Sequence, residues 1–190
     1  MEIWADKNQI ACPAHAKVEV ISKVSEDGRV EEKNVLGMPR SARIRDVLRD
    51  EEWAERFVGG DYVKLYLAPW DLHYLVFPAP GRISHQAYRS GWALPLLFMK
   101  RGDVLNERLC VVIETVWGFP MAVVMIGSWM VNGIHHVFEP EEEYSTGDDF
   151  GHFKVGSSVV LLFPPGVVEW ECGVGDKLGI GDRLARVLGE

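Results

Sequence analysis

Residues 61–68, DYVKLYLA, alternate two kinds of side chain along the chain. Tyr62, Lys64 and Tyr66 are each followed by an aliphatic residue. Successive side chains of a β-strand point to opposite faces of a sheet, so this period of two predicts a strand with one aliphatic face. Working outward from it, further strands are predicted at residues 16–24, 108–116, 119–126, 158–163 and 167–171.

Turns and one helix complete the predicted fold. Nineteen glycines and ten prolines supply turn residues, and Glu26-Asp27-Gly28 is a predicted hairpin turn. A helix is predicted near residues 44–58, because apolar side chains recur there at helical spacing and Gly59-Gly60 follows them. We therefore predict a single domain over residues 1–190, β-rich and α+β in class, built of antiparallel sheets.

The charge balance and the cysteines restrict the function classes. Twenty basic and 28 acidic residues give the chain a formal net charge of −8 at pH 7, which argues against a nucleic-acid partner because such a partner requires a basic face. Cys12, Cys110 and Cys172 are odd in number and far apart, which is typical of a reducing cytoplasm. The first residues, MEIWADK, do not resemble a signal peptide. We expect a cytoplasmic protein, either soluble or peripheral to a membrane.

Residues 150–163 carry the first candidate chemistry, a Gly156-Ser157 pair just before an apolar strand. Glycine leaves its own carbonyl open to approach. The Ser157 hydroxyl can attack that carbonyl if a base takes its proton and hydrogen-bond donors hold the oxyanion. The alternative is an ordinary turn, which is the commoner role of such a pair when it stands alone.

Residues 66–73, YLAPWDLH, carry the second candidate, and residues 106–108 the third. Asp71 and His73 lie two residues apart, so an extended chain points both side chains to one side. A carboxylate beside an imidazole can hold its tautomer for proton transfer. The alternative is a turn-forming aspartate with a histidine bonded to the backbone. The third candidate, Asn106-Glu107-Arg108, is on its own a common surface triplet.

Five sequence blocks, taken in order, resemble the phosphatidylserine decarboxylase family of self-processing, pyruvoyl-dependent enzymes. The similarity runs from about residue 44 to the C-terminus and is weaker before it. The blocks are YLAPWDLH at 66–73, FPAPGRI at 77–83, LNER at 105–108, IGS through GI at 126–134, and GHFKVGSS at 151–158. The resemblance implies a sandwich of antiparallel sheets and the activity of a carboxy-lyase.

The resemblance also implies a cofactor made from the chain itself. Ser157 would attack the Gly156 carbonyl to form an ester, and elimination would then split the proenzyme into residues 1–156 and 157–190. The new N-terminus would become a pyruvoyl group, which forms a Schiff base with a substrate amine and accepts electrons as carbon dioxide leaves. His73 matches the family histidine that returns a proton, and Asp71 would orient it. The substrate would be phosphatidylserine or a soluble amino acid.

The sequence departs from the family pattern at the residues that activate the serine. The usual Pro-Ala-Asp-Gly motif aligns with Pro13-Ala14-His15-Ala16, and the histidine that partners its aspartate aligns with Val76. Two interpretations remain open. His15 serves directly as the base for Ser157, or the chain does not process and acts as a binding or structural module.

The remaining predictions concern partners. Residues 92–99, WALPLLFM, are a candidate lipid surface or substrate-entry lip through Trp92 and Phe98, or else a buried strand or loop. No histidine cluster has the spacing of a zinc site, so no metal is predicted. The sequence leaves the substrate and the oligomeric state open, a homo-oligomer included.

Overall fold

The computed structural model describes residues 8–33, 39–91, 105–127, 133–154 and 157–189. Within these ranges the chain forms sixteen strands and two helices. In chain order the elements are β1 Gln9–Ala11, β2 Ala16–Lys23, β3 Arg29–Lys33, β4 Pro39–Arg43, α1 Ile44–Leu48, α2 Glu51–Arg56, β5 Asp61–Leu67, β6 Tyr74–Val76, β7 Gly81–Arg89, β8 Arg108–Thr115, β9 Pro120–Gly127, β10 Ile134–His136, β11 Glu143–Tyr144, β12 Asp149–Phe153, β13 Ser157–Phe163, β14 Val168–Trp170, β15 Lys177–Leu178 and β16 Arg183–Val187.

An eight-stranded antiparallel sheet forms the centre of the fold, in the order β11-β7-β8-β9-β13-β5-β2-β15. Its middle strand β13, SSVVLLF, is buried along its whole length. A strand covered on both faces has no polar side to show, so its sequence is a continuous apolar run rather than an alternation.

Two apolar clusters cover the opposite faces of this sheet. Val159, Leu161 and Phe163 belong to the first cluster, which also takes side chains from the small sheets β1-β16-β14 and β10-β12-β6. Val160 and Leu162 belong to the second cluster, which the two helices and the β3–β4 hairpin complete. The prediction of a β-rich, antiparallel α+β fold is confirmed.

The single helix predicted near residues 44–58 is wrong in one respect, because the structure divides it into α1 and α2. Arg49 ends α1 in the left-handed conformation, with φ of 56°. Asp50 then starts α2, since its carboxylate accepts a hydrogen bond from the Trp53 N–H at 3.0 Å. An aspartate at that position satisfies an end-turn donor and favours a new helix start.

Of the described residues, none form a helix long and apolar enough to cross a bilayer. The predicted strands occur within a residue or two of their expected bounds, as β2, β5, β8, β9, β13 and β14. Several strands that the sequence did not reveal have only two or three residues, among them β6 and β10.

Candidate active site

Ser157 is the first residue of β13, between Leu67 of β5 and Gly127 of β9. Its side chain is fully buried and lies on the same face as Val159, toward the first cluster. Its Oγ has no hydrogen-bond partner among the described residues. A buried polar atom without a partner costs about 1–3 kcal/mol. The next residue, Ser158, is in the same state, so the preceding glycine, and not burial alone, singles out Ser157. Gly156, the other half of the predicted scissile bond, lies outside the described residues.

Asn106 holds the strand residue that faces Ser157. Its Nδ2 donates to the Gly127 carbonyl oxygen at 2.8 Å, and the Gly127 N–H donates to the Glu107 carbonyl oxygen at 2.9 Å. Both backbone groups of Gly127 therefore point toward β8, which makes Ser157 and Gly127 a pair without mutual hydrogen bonds, the closer kind in an antiparallel sheet. Since Gly127 has no side chain, it adds no atoms beside the Ser157 hydroxyl.

Glu107 and Arg108 complete a buried triplet with Asn106. The Glu107 carboxylate accepts hydrogen bonds from the Tyr88 hydroxyl at 2.5 Å and the Gly133 N–H at 3.0 Å, and the bond to Glu107 raises the pKa of Tyr88. Arg108 donates to backbone carbonyls, including that of Val47 at 2.8 Å. The expectation that this triplet lies on the surface is therefore wrong. Its residues are buried at the start of β8, and their hydrogen bonds connect β8 to β7, β9 and α1.

The loop after β5 is a compact turn that carries Asp71 and His73. The Asp71 carboxylate accepts the Ala68 N–H at 2.7 Å, and the Asp71 N–H donates back to the Ala68 carbonyl at 2.9 Å. The His73 Nδ1 lies 2.7 Å from the backbone oxygen of Asp71. A carbonyl oxygen only accepts, so Nδ1 carries the proton, and the lone pair of the neutral ring is on Nε2. Asp71 thus orients His73 through its backbone.

The His73 loop and the Ser157 segment meet at one end of the central sheet. The loop leaves β5 directly after Leu67, which pairs with Ser157. It is tied again at the His73 carbonyl, which accepts the Phe153 N–H at 2.9 Å, four residues before Ser157. The structure therefore brings together the chain segments of two predicted site residues.

Similarity to known proteins shows the family of the chain. The model of the family described as phosphatidylserine decarboxylase matches residues 2–186. The chain belongs to this decarboxylase family. It is 32% identical to a protein of Saccharophagus degradans named phosphatidylserine decarboxylase proenzyme, over 97% of this chain and 72% of that one. A protein of the same name from Anaeromyxobacter sp. is 34% identical, over 92% and 69%, and one from Coxiella burnetii is 28% identical, over 86% and 67%.

The two segments at which the sequence analysis expects departures from the family pattern, around His15 and Val76, touch in the structure. The Val76 N–H donates to the Pro13 carbonyl oxygen at 3.0 Å, so the Pro13-to-Ala16 stretch runs against the strand that carries buried Val76. His15 itself is exposed, and its ring lies 3.6 Å from where a Cβ on Gly179 would be. Strand β5 separates β2 from β13, so His15 starts about two strand spacings, roughly 10 Å, from Ser157. Its role as the base stays a prediction.

Two other predicted residues lie outside the described chain, Trp92 and Phe98 of the candidate lipid surface. Among the described residues, no three His, Cys, Asp or Glu side chains lie close enough together to hold a metal ion. The sequence makes the Asn106 triplet a candidate without a specific role, and it does not single out Trp70. The signal for Asn106 was its place in the LNER block, whereas the exposure of Trp70 had no signal in the sequence.

Proposed function

We propose that this family member is a self-processing, pyruvoyl-dependent decarboxylase whose Ser157 becomes the pyruvoyl group. The observation that carries the proposal is the Ser157 hydroxyl, buried and unpartnered among the described residues, directly after Gly156. Its burial keeps this hydroxyl out of water, and among the described residues it makes no hydrogen bond that would have to break before it attacks. The relatives are named proenzymes, which means that those proteins are made as precursors.

The self-cleavage would first convert the peptide bond before Ser157 into an ester and then break that ester by elimination. Ser157 Oγ loses its proton to a base and bonds to the Gly156 carbonyl carbon, while the peptide nitrogen leaves that carbon and takes up a proton. The peptide bond becomes an ester. Loss of the Ser157 α-proton then expels the Gly156 carboxylate, leaving dehydroalanine at residue 157. Its imine tautomer takes up water and releases ammonia, which leaves a pyruvoyl group.

His73 would act in the decarboxylation as the proton donor to the substrate carbon. Its Nδ1–H is held by the Asp71 carbonyl, so the proton in transit is carried by Nε2. The pyruvoyl carbonyl supplies an electron sink for the pair left behind by carbon dioxide. The Asp71 carbonyl holds the ring at Nδ1, and the Phe153 N–H holds the backbone carbonyl of His73. Both the ring and the backbone of His73 are therefore restrained by neighbouring segments.

The substrate proposed is an amine next to a carboxylate, either an amino acid or an aminophospholipid such as the one in the relatives' names. We favour the phospholipid, with the enzyme acting as a peripheral protein on the cytoplasmic side. Three free cysteines, two of them buried, support a reducing compartment.

Intact mass spectrometry of freshly purified protein tests the processing. We expect two fragments, residues 1–156 and residues 157–190, the smaller one blocked by pyruvoyl. Ser157→Ala stays whole. Ser158→Ala is the matched control, because Ser158 is the next residue, equally buried and equally unpartnered among the described residues, and it should still cut. A native chain that stays whole on incubation would support the binding-module alternative.

The same measurement on His15→Ala and His73→Ala identifies the base. If His15 takes the Ser157 proton, the His15→Ala chain stays whole and His73→Ala cuts but does not decarboxylate. If His15→Ala cuts at the native rate, His15 is excluded as the base. A whole His73→Ala chain would assign both proton transfers to one imidazole.

A further inference from the structure

We propose that the end of the central sheet around Ser157 docks on a phospholipid bilayer, with Trp70 and Leu72 as its apolar anchors. The inference deepens the proposed function and rests on it, because it takes the substrate to be a lipid whose acyl chains stay in a membrane.

Trp70 and Leu72 are on either side of Asp71 in the turn that leads to His73. Trp70 is 85% exposed, more than any other large apolar residue in the described chain, and Leu72 is 56% exposed. The turn beneath them is closed by the two hydrogen bonds between Ala68 and Asp71. The apolar side chains are therefore presented on a fixed turn, and tryptophan is the residue that favours a membrane interface.

Further exposed apolar side chains flank Ser157 on its other side. Leu105 lies just before β8, and Tyr88, near the end of β7, is 52% exposed while its hydroxyl is held by Glu107. Strands β8 and β7 are the second and third from β13 in the sheet, whereas Trp70 follows β5 on the opposite side. Apolar groups thus border both sides of the site, where a single exposed residue would need no explanation.

The charges favour insertion of apolar side chains over electrostatic attachment. The chain carries a net charge of −8, which repels anionic lipid surfaces as a whole. Among the described residues, three exposed cations lie near this end of the sheet, Lys17, Arg89 and Lys154, and they do not offset the negative charge of the whole chain. We expect binding to zwitterionic vesicles that persists at high salt.

A bilayer suits this surface better than a protein partner because of where the site lies. Trp70 and Leu72 are on the same short turn as His73, the proposed proton donor. A lipid with its tails in the membrane can bring only its head group to the enzyme, so the residues around the site must themselves approach the interface.

Cosedimentation with phosphatidylcholine vesicles tests the proposal without any substrate. Native protein should bind, and Trp70→Glu and Leu72→Glu should each lower the partition coefficient by about tenfold or more, since each removes the insertion of a large apolar side chain. Val116→Glu is the matched control, because Val116 is 67% exposed on the β8–β9 turn at the opposite end of the sheet. Trp70→Ala is a second variant. If its melting temperature equals that of the native protein, its weaker vesicle binding does not come from a folding defect.

The docking surface is overturned if native protein ignores the vesicles, which would leave these side chains to a protein partner, or if Val116→Glu weakens binding as much as Trp70→Glu. Intact mass spectrometry of the same samples distinguishes a failure of the docking proposal from a failure of the processing proposal. Protein that binds vesicles but stays uncut contradicts the processing alone, and protein that is cut but does not bind contradicts the docking alone.

Discussion

Ser157 and Ser158 are adjacent hydroxyls buried on opposite faces of β13, and neither has a hydrogen-bond partner among the described residues. Equal burial gives both the same cost of desolvation. Only Ser157 follows Gly156 and faces the side chain-free Gly127. The difference between the two serines therefore lies in the residues around them. Asn106 holds one of these, Gly127, through the hydrogen bond to its carbonyl oxygen.

At this scale we predict the effect of Asn106→Ala. The change removes the donor to the Gly127 carbonyl and leaves a buried acceptor unpaired, so the free energy of unfolding should fall by about 1–3 kcal/mol. Cleavage before Ser157 should slow, because the register of β9 beside it loosens. Urea unfolding and the time course of intact mass measure the two effects. Ser22→Ala, which removes an exposed hydroxyl shared between the carbonyls of Lys23 and Glu31, should change neither. An Asn106→Ala protein with native stability and native cleavage would contradict the role of Asn106.

At the scale of the element, α1 depends on the sheet for its stability. Five residues are too few for a helix to form alone. Arg108 of β8 donates to the carbonyls of Asp46 and Val47 at the end of α1, at 3.1 and 2.8 Å, which satisfies acceptors that the helix leaves open. Burial lowers the pKa of Arg108, and the nearby Arg49 acts in the same direction.

We predict that Arg49→Gly stabilises the protein. Arg49 is exposed and has φ of 56°, a conformation that costs a residue with a Cβ about 1 kcal/mol relative to glycine. The change also removes a positive charge near Arg108. Thermal melting should rise, whereas Arg45→Gly inside the same helix should lower it. A lower melting temperature for Arg49→Gly would show that its side chain makes a stabilising contact.

At the scale of the whole molecule, the two clusters are joined through a shared sheet, and each contains a buried thiol. Cys12 lies in the first cluster and Cys110 in the second. Burial raises the pKa of each from its ordinary 9.0 to about 12. Both thiols stay neutral in the fold over the pH range in which the unfolded chain ionises them.

Stability should therefore fall at alkaline pH. Below pH 9 each thiol is protonated in both the folded and the unfolded chain, so its ionisation takes nothing from the free energy of unfolding. Between about pH 9 and 12 the unfolded chain loses protons that the fold keeps, so each thiol lowers the free energy of unfolding by up to about 1.4 kcal/mol per pH unit. Urea titrations across this range measure the slope. Cys110→Ala should make it shallower, and an equal slope would show that the thiol is ionised in the fold.

The strands and the family were determined by the sequence itself. The alternation at residues 61–68 and the apolar run of β13 are local patterns, so they predicted β5 and β13 without any knowledge of their neighbours. The ordered blocks predicted the family for the same reason, since a block needs only its own residues. Gly156, Ser157, His73 and Asp71 are all candidates from the sequence alone.

The tertiary structure alone decided which of these residues meet. Leu67, Gly127 and Ser157 are distant in sequence and adjacent in the sheet, and no local period records such a pairing. Three-residue strands such as β6 and β10 are too short to show a period at all. Three further features are likewise properties of the packed chain: the hydrogen bond from Asn106 to Gly127, the distance between His15 and Ser157, and the exposure of Trp70. Each depends on which strands lie side by side, and that is set by burial over the whole molecule rather than by neighbours in sequence.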